Sequence, residues 1–296
     1  MIRWLVPTAL VLAMVLLALV LAPWLTGDGP DGELVLVEIS GDVGVASAEG
    51  RVEPAQAGRV VQPSEQLRTG PASSAVLSAG PDTEIRLSPS TALTVESIQD
   101  DVVTVELDEG RIRADVRGGR RGLRVANQGR TVETSDGSVA VAIQGGVLAV
   151  EVERGTATTD GIEGVTRLTA GGRAVVLSDG EVALGAIPDE VALSVAWPAE
   201  RRTRADEVIV RGRTQPGATV TVTGGRAGVT AIAGVDGQFE ATIELVEGAH
   251  PVVVQATDPF GRQVAAEARL ERDTTPPRIG GGGLARDPPE PVNGGP

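Results

Sequence analysis

Three stretches of the sequence repeat one pattern: an alternating apolar run, a few polar residues, a glycine and a second alternating run. Alternation with a period of two places the apolar side chains on one face of a β-strand. Because glycine reaches positive φ without a Cβ clash, each stretch predicts either a hairpin or a corner between sheets. Beyond residue 25 no stretch keeps apolar residues three and four positions apart, so we expect an all-β fold of stacked sheets. The three stretches are VTVELDEGRIRADV (103–116), VLAVEVERGTATTD (147–160) and AVVLSDGEVAL (174–184).

The composition restricts the core to aliphatic side chains. The chain has 39 Gly and 19 Pro, no Tyr, two Phe and three Trp, so any core must be built mainly from Val, Leu, Ile and Ala. Many glycines together with valine and threonine are typical of short strands joined by tight turns. With 296 residues, of which 41% are hydrophobic, the chain is long enough for two ordinary domains.

The charge and the missing cysteines exclude several classes of function. All 26 basic residues are arginine, and the formal net charge of −14 argues against binding to a nucleic-acid backbone, which rests on cationic neutralisation of phosphates. Without cysteine, the chain has no disulfide, no thiolate metal site, no thiol nucleophile and no cysteine lipid anchor.

Catalytic chemistry has few candidates in this sequence. His250 is the only histidine, so imidazole triads and histidine metal clusters are nearly unavailable, and its position before a proline is typical of a loop. The acidic pairs Asp100-Asp101 and Asp108-Glu109 are sequence neighbours, which point to opposite faces of a strand and make poor catalytic partners. We therefore expect a protein that is not an enzyme and has no cofactor and no metal site.

An uncharged apolar segment occupies residues 4–25. As a helix it would span about 33 Å, against about 30 Å for the hydrocarbon core of a bilayer. Trp4 and Trp24 would then lie near the two membrane interfaces, which indole rings prefer. The segment predicts a single-pass transmembrane helix in the bacterial inner membrane, with residues 1–3 in the cytoplasm and the C-terminal domains in the periplasm. The alternative is a cleaved signal peptide, which leaves the exported domains unchanged.

A spacer at residues 26–37 precedes a region with a distinctive strand order. The stretch LRTGPASSAVLSAGPDTEIRLSPSTALTV (67–95) has a Thr-Gly, a Ser-x-Ala-x-Leu strand, an acidic glycine-rich turn, an Ile-Arg-Leu strand, and then Pro and Thr. This order resembles the FecR domain, and similar elements extend the resemblance over residues 38–185. The resemblance implies a stacked β-sheet, β-solenoid-like domain. Its matching positions are Thr69, Gly70, Ser73, Ala75, Leu77, Ile85, Arg86, Leu87, Pro89 and Thr91, followed by residues 107–112 and 170–172.

The chain departs from the FecR pattern in two places. Residues 135–139, Ser-Asp-Gly-Ser-Val, replace the Arg-Gly-Thr that usually leads into an aromatic strand. The founding members also carry a cytoplasmic segment before the membrane helix, whereas residues 1–3 alone precede the apolar segment here. A role in regulation would then require that the helix itself signals or that a separate anti-sigma partner exists.

A second β-rich region follows a linker at residues 186–190. Residues 191–273 show about seven short alternating runs with turn signals at Pro216-Gly217 and Asp236-Gly237, which is typical of a β-sandwich. The order of these runs resembles bacterial Ig-like modules. The last stretch, residues 274–296, is rich in glycine and proline, with too few large aliphatic residues to offset the entropy of ordering it, so we expect it to be disordered.

Two clusters of arginine stand out against the acidic background. Guanidinium groups pair bidentately with phosphate or carboxylate, so these clusters form a candidate surface for an anionic partner, either an envelope protein or an anionic cell-envelope polymer. The alternative is a solvated strand face whose charges are balanced by nearby Asp and Glu. The candidate residues are Arg117, Arg120, Arg121 and Arg124 in the first cluster and Arg201, Arg202 and Arg204 in the second.

These features lead to two hypotheses about function. The first is a membrane-anchored, envelope-exposed interaction or scaffold protein, in which the FecR-like and Ig-like modules form a rigid arm. The second is a transmembrane signalling regulator of sigma-factor-dependent transcription, which is what the resemblance to the FecR founding members implies. The ligand, the oligomeric state and the binding face are not determined by the sequence.

Overall fold

The computed structural model describes residues 33–99, 101–118 and 121–275. Within these ranges every regular element is a β-strand, which confirms the all-β prediction. No helix in the described ranges is long and apolar enough to cross a membrane. The predicted transmembrane helix at residues 4–25 with Trp4 and Trp24, Arg120, and the tail beyond residue 275 all lie outside the described residues.

Sixteen strands form the first of two β units. Its first half contains β1 (Leu34–Ser40), β2 (Val43–Ala46), β3 (Val52–Pro54), β4 (Val60–Val61), β5 (Gln66–Thr69), β6 (Ser74–Ser78), β7 (Thr83–Leu87) and β8 (Ala92–Ile98). Its second half contains β9 (Val102–Val116), β10 (Gly122–Asn127), β11 (Arg130–Thr134), β12 (Gly137–Gln144), β13 (Val147–Asp160), β14 (Arg167–Thr169), β15 (Gly172–Val176) and β16 (Val182–Ala186). Because β1 begins at Leu34, the last four residues of the expected spacer belong to the sheet.

The first unit consists of two sheets, which we call sheet A and sheet B. Sheet A has the order β4-β1-β6-β7-β9-β12-β13-β15-β16, and sheet B has the order β3-β2-β5-β8-β9-β10-β11-β13-β14. Adjacent strands are antiparallel except β9 and β10, which are parallel. The chain passes repeatedly from one sheet to the other, and one continuous aliphatic core from Leu34 to Val176 lies between them.

Strands β9 and β13 belong to both sheets and change sheet at a glycine. Residues 102–109 of β9 pair in sheet B and residues 110–116 pair in sheet A, with Gly110 at φ +96°. In β13 the change occurs at Gly155, at φ +76°, where a Cβ would overlap the carbonyl oxygen of Asp136. Of the three repeated stretches, residues 103–116 in β9 and residues 147–160 in β13 are therefore corners between the two sheets. The third, residues 174–184, is the hairpin between β15 and β16.

The departure from the FecR pattern at residues 135–139 leads into a fully packed strand. Strand β12 carries Val139, Val141 and Ile143 on the face that packs into the core of the first unit. β12 pairs with β9 on one side and with β13 on the other, and its aliphatic side chains fill the core positions where the FecR pattern has aromatic ones.

The second unit contains eight strands in two sheets around a separate core. The three-stranded sheet has the order β17-β19-β22 and the five-stranded sheet has the order β18-β24-β23-β20-β21. Val210 and Ile243 from the first sheet face Val222 and Val254 from the second, which makes the unit a β-sandwich. The strands are β17 (Ser194–Ala196), β18 (Arg202–Thr203), β19 (Glu207–Arg213), β20 (Thr219–Thr223), β21 (Val229–Ile232), β22 (Gln238–Glu244), β23 (Gly248–Thr257) and β24 (Gln263–Arg272).

Candidate functional site

The two units meet on the outer face of sheet A. Strand β12 and residues 147–152 of β13 are buried on both faces, which is the pattern of a sheet covered on both sides. Their inner face packs in the core of the first unit, and their outer face presents Ala142, Val147 and Ala149. These three residues form a second apolar cluster with Val175 and Leu177 of the neighbouring hairpin. We call the region where the second unit covers this cluster the junction.

At the junction, three segments of the second unit pack on the apolar cluster of the first unit. Val235 and Phe260 contact the cluster, and Gly217 lies close against Val175 and Val147. Gly217 has φ +70°, and a Cβ at this position would lie 2.6 Å from Cγ1 of Val175 and 2.9 Å from Cγ1 of Val147. Only glycine therefore allows the two backbones to approach this closely.

Four charged residues form a compact cluster beside the apolar contact. Glu151 on β13 and Arg173 on β15 are cross-strand partners in sheet A. Asp258 and Arg262 come from the turn between β23 and β24 in the second unit. Arg262 Nη2 lies 2.6 Å from Glu151 Oε1 and 2.6 Å from Asp258 Oδ2, so a single guanidinium connects the two units.

Arg173 extends the cluster from the side of the first unit. Its Nη1 lies 3.3 Å from Glu151 Oε1, 3.6 Å from Asp258 Oδ2 and 3.3 Å from the side-chain oxygen of Gln215. Two carboxylates and two guanidinium groups thus balance each other in charge. Their side chains are 6% exposed for Glu151 and Arg173, 0% for Asp258 and 32% for Arg262, so the interactions are only weakly screened by solvent.

The turn that carries Asp258 is itself fixed by hydrogen bonds. Arg262 donates its backbone N–H to Oδ1 of Asp258 at 2.8 Å and its Nε–H to Oδ2 at 2.8 Å. Its Nη1 donates to the carbonyl oxygen of Pro188 in the segment between the units at 3.1 Å. Phe260, from the same turn, lies under both cations, with ring-to-guanidinium distances of 5.7 Å to Arg173 and 5.8 Å to Arg262. The turn is therefore held in one geometry.

Burial shifts the pKa values of the cluster. Removal from water raises the pKa of Glu151, although Arg262 and Arg173 act in the opposite direction. Burial lowers the pKa of Arg173. Burial by itself would also lower the pKa of Arg262, but its hydrogen bonds and charge interactions with Asp258 and Glu151 outweigh this and raise it. Within the described residues, Nε and Nη2 of Arg173 are buried without a hydrogen-bond acceptor, which adds to the cost of placing this cation here.

The sequence contains a signal for the junction that the alternation pattern obscures. The stretch from Val139 to Val152 is almost continuously apolar, whereas a half-buried strand alternates with polar residues. Its second face carries Ala142, Val147 and Ala149 before Glu151, and the two alanines are small enough for a second unit to approach closely. Glu151 is the one charged residue in this run, so the sequence could have singled it out, although nothing local names its partner in the second unit.

The first arginine cluster lies at an end of the first unit away from the junction. The backbone N–H of Arg117 bonds the carbonyl oxygen of Asp82, and the backbone carbonyl of Arg121 accepts a hydrogen bond from Thr83. Arg124 on β10 pairs with Glu133 on β11, with Nη2 2.7 Å from Oε2. Arg124 is therefore charge-balanced by its cross-strand neighbour, while Arg117 is exposed.

The second arginine cluster lies at the far end of the second unit. Arg202 pairs with Glu271 at 3.2 Å and Asp273 at 2.5 Å, and Arg201 lies over the ring of Trp197. Arg204 donates to the carbonyl oxygen of Thr275 at 3.5 Å. The ten-residue pairing of β23 with β24, about 30 Å long at 3.3 Å per residue, separates this end from the junction. The structure thus does not bring the two clusters together.

Residues 65–158 match the family model described as FecR protein. These residues extend from the start of β5 into the second half of β13, and they form a FecR domain at the centre of the first unit. This confirms the resemblance over that range, while residues 38–64 and 159–185 lie outside the match. No curated protein matches the chain.

Several solved structures are similar to parts of the chain. Two structures of a protein assigned as an anti-sigma factor from Parabacteroides distasonis are 22% and 23% identical, each with a TM-score of 0.36. They cover 41% of this chain, and the chain spans 59% of their length. A tetra-tandem repeat from the extending region of a large adhesion protein is 17% identical, with a TM-score of 0.24. The match covers 83% of this chain and 68% of the length of that protein chain.

Proposed function

We propose that this protein is a signalling regulator of the FecR type, which acts in sigma-factor-dependent transcription. The observation that carries the proposal is the match of residues 65–158 to the FecR protein family. This match favours regulation over the scaffold hypothesis, because the founding members of the FecR family act as sigma-factor regulators. We further infer that the second unit is an Ig-like module and that neither unit is an enzyme.

In this proposal the two β units are the extracytoplasmic part of the regulator. Residues 4–25 anchor the chain in the inner membrane, and eight residues separate them from β1. At about 3.4 Å per extended residue, this spacer holds the first unit within about 27 Å of the membrane. The junction couples the second unit to the FecR domain, because a buried charge cluster and an apolar contact resist independent movement of the units. A partner that binds the second unit would therefore act on the whole periplasmic part.

The test is the transcriptional response to deletion of the gene. We expect a small set of promoters that share one sigma-factor dependence to change expression, and the wild-type gene in trans to restore them. A chain with Gly155→Ala should fail to restore the response, because the added Cβ overlaps the Asp136 carbonyl oxygen and is expected to disrupt the FecR domain. Gly129→Ala should restore it, because a Cβ at that position meets no atom within 4 Å. A transcriptome unchanged by the deletion under several growth conditions would rule out the proposal.

The scaffold hypothesis is supported by a different observation. The junction joins two β units into one continuous body, as expected for an arm that presents surfaces to an envelope protein or an anionic polymer. The exposed Arg117 and the end of the second unit with Arg201 are candidate contacts in this case. Cross-linking in intact cells distinguishes the two functions, because a scaffold should be recovered with a stable envelope partner even where transcription does not change.

A further inference from the structure

A polar cleft of about 330 Å³ opens between the two units, next to the junction. The first unit contributes Ser90, Glu109, Arg111 and Gln144 to its walls, and the second unit contributes Thr257 and Gln263. Small-ligand sites occur preferentially at domain boundaries, and a few convergent polar groups fix the orientation of the ligand there. None of the charged residues of the junction cluster lines this cleft, so it is a separate site.

Arg111 is held in the cleft by its position after the β9 corner. Its backbone N–H donates to Oγ1 of Thr91 at 3.0 Å, and its carbonyl oxygen accepts from the N–H of Ser88 at 2.9 Å and the hydroxyl of Thr91 at 3.1 Å. The guanidinium lies against Gly261 of the second unit, where a Cβ would overlap Nη1. The glycine, at φ +87°, thus leaves room for the cation at the cleft wall.

The Arg111 guanidinium has no acceptor within the part of the chain that the structure describes: it forms neither an ion pair nor a side-chain hydrogen bond there. Its neighbour on the same strand, Arg113, pairs with Glu153, and Arg262 is fully engaged in the junction. Glu109 lines the same cleft without pairing with Arg111. A chain of net charge −14 has many carboxylates, yet none of those in the described residues pairs with Arg111, so this half-buried cation at the cleft wall is available to an external acceptor.

The chemistry of the walls restricts the ligand. A guanidinium binds a carboxylate bidentately, and the amides and hydroxyls around it supply further hydrogen bonds. Glu109 at the same cleft repels a second negative charge and attracts an amine. We propose that this cleft binds a ligand with a single carboxylate, either an amino acid or the carboxyl terminus of a short peptide, with Arg111 as its anchor.

Chemical-shift titration of the full chain tests the proposal. The probes are the tripeptide Ala-Ser-Ala as its free acid, the same tripeptide as its carboxamide, and free alanine. We expect the free acid to shift the backbone amides of Gln144, Gly261 and Gln263 with a dissociation constant of about 1 mM, and the carboxamide to leave them unchanged. A response to alanine as strong as that to the tripeptide would identify an amino-acid site, and a weaker response would identify a peptide terminus.

Two variants separate binding from folding. Arg111→Gln should weaken binding of the free acid about tenfold, because a charge-assisted bidentate contact is lost. Arg130→Gln, at a half-buried arginine on the hairpin between β10 and β11, is the matched control and should bind as the wild type does. The dispersed amide spectrum of each variant verifies that it is folded.

Glu109→Gln tests the selectivity of the cleft. The wild type should bind succinate, a dicarboxylate, at least about tenfold more weakly than the tripeptide acid. The Glu109→Gln variant should accept succinate. Equal shifts with acid and carboxamide, shifts centred outside the cleft, or no shift at about 20 mM probe would each overturn the proposal. Because binding is measured on the purified chain, its failure would not affect the proposed role in transcription.

Discussion

Arg262 and Glu151, which are 111 positions apart in the sequence, lie with Nη2 and Oε1 2.6 Å apart at the junction. Arg262 belongs to a turn of the second unit, and Glu151 belongs to strand β13 of sheet A. Asp258 and Arg173 complete the cluster from the two sides. The arrangement makes the relative position of the two units depend on four charged side chains, and their removal has predictable consequences.

Arg262→Gln should destabilise the junction strongly. The substitution leaves Glu151 and Asp258 buried with Arg173 as their only cation in the cluster, and an uncompensated buried charge costs about 3 kcal/mol. Urea unfolding at neutral pH measures the loss. The control is Arg211→Gln, which breaks an exposed pair with Glu240 and should cost under about 1 kcal/mol. Equal losses in the two variants would show that the buried cluster contributes no more to the free energy of unfolding than an exposed ion pair does.

The contribution of Glu151 to stability should fall as the pH rises. Since burial raises the pKa of Glu151 above the ordinary glutamate value of 4.5, the folded state binds this proton more tightly than the unfolded state. The stabilising contribution is therefore present below pH 4.5 and is lost as the pH rises through the folded pKa. The difference in the free energy of unfolding between the wild type and Glu151→Gln, measured from pH 4 to pH 7, should move in favour of the variant. A difference that is constant, or that moves towards the wild type, would contradict the assigned direction.

Gly217→Ala should separate the units without unfolding either core. The added Cβ meets Val175 and Val147 at the junction, whereas Gly164→Ala adds a Cβ at a similar φ of +72° with nothing within 4 Å. Endoproteinase Glu-C cleavage at Glu190, in the segment between the units, reports the opening. We expect about tenfold faster cleavage for Gly217→Ala than for Gly164→Ala. Similar rates would mean that the close approach of Gly217 is not needed to keep the junction closed.

Gly155→Ala should prevent the first unit from folding. A Cβ at this corner overlaps the Asp136 carbonyl oxygen, and β13 then cannot leave sheet A for sheet B. We expect a loss of more than about 3 kcal/mol, beyond the cost of about 1 kcal/mol for the left-handed conformation alone. In Gly129→Ala, at φ +82° in an open turn, the added Cβ meets no atom within 4 Å. This variant therefore measures the cost of the left-handed conformation alone. Thermal unfolding followed by circular dichroism compares the two, and a similar midpoint would refute the corner assignment.

Much of the first unit follows from the sequence. The alternating runs predicted its strands, and the order of Thr69, Ile85 and their neighbours predicted the FecR domain that the family match supports. The arginine clusters were also visible in the sequence, and their role as a surface for an anionic partner stays a prediction. The junction was not predicted, because Glu151 and Arg262 lie in separate units and nothing local to either residue specifies the other.

The sequence by itself determined where the backbone can turn. Gly110, Gly155 and Gly180 each interrupt an alternating run, and each adopts positive φ, since no other residue does so at such low cost. Whether the chain then folds back or continues was decided by the tertiary structure. The run after Gly180 pairs with the run before it, whereas those after Gly110 and Gly155 continue into the opposite sheet, where distant strands offer more pairing and burial. The same long-range burial placed Glu151 against the second unit instead of in solvent, and this contact cannot be derived from a local pattern.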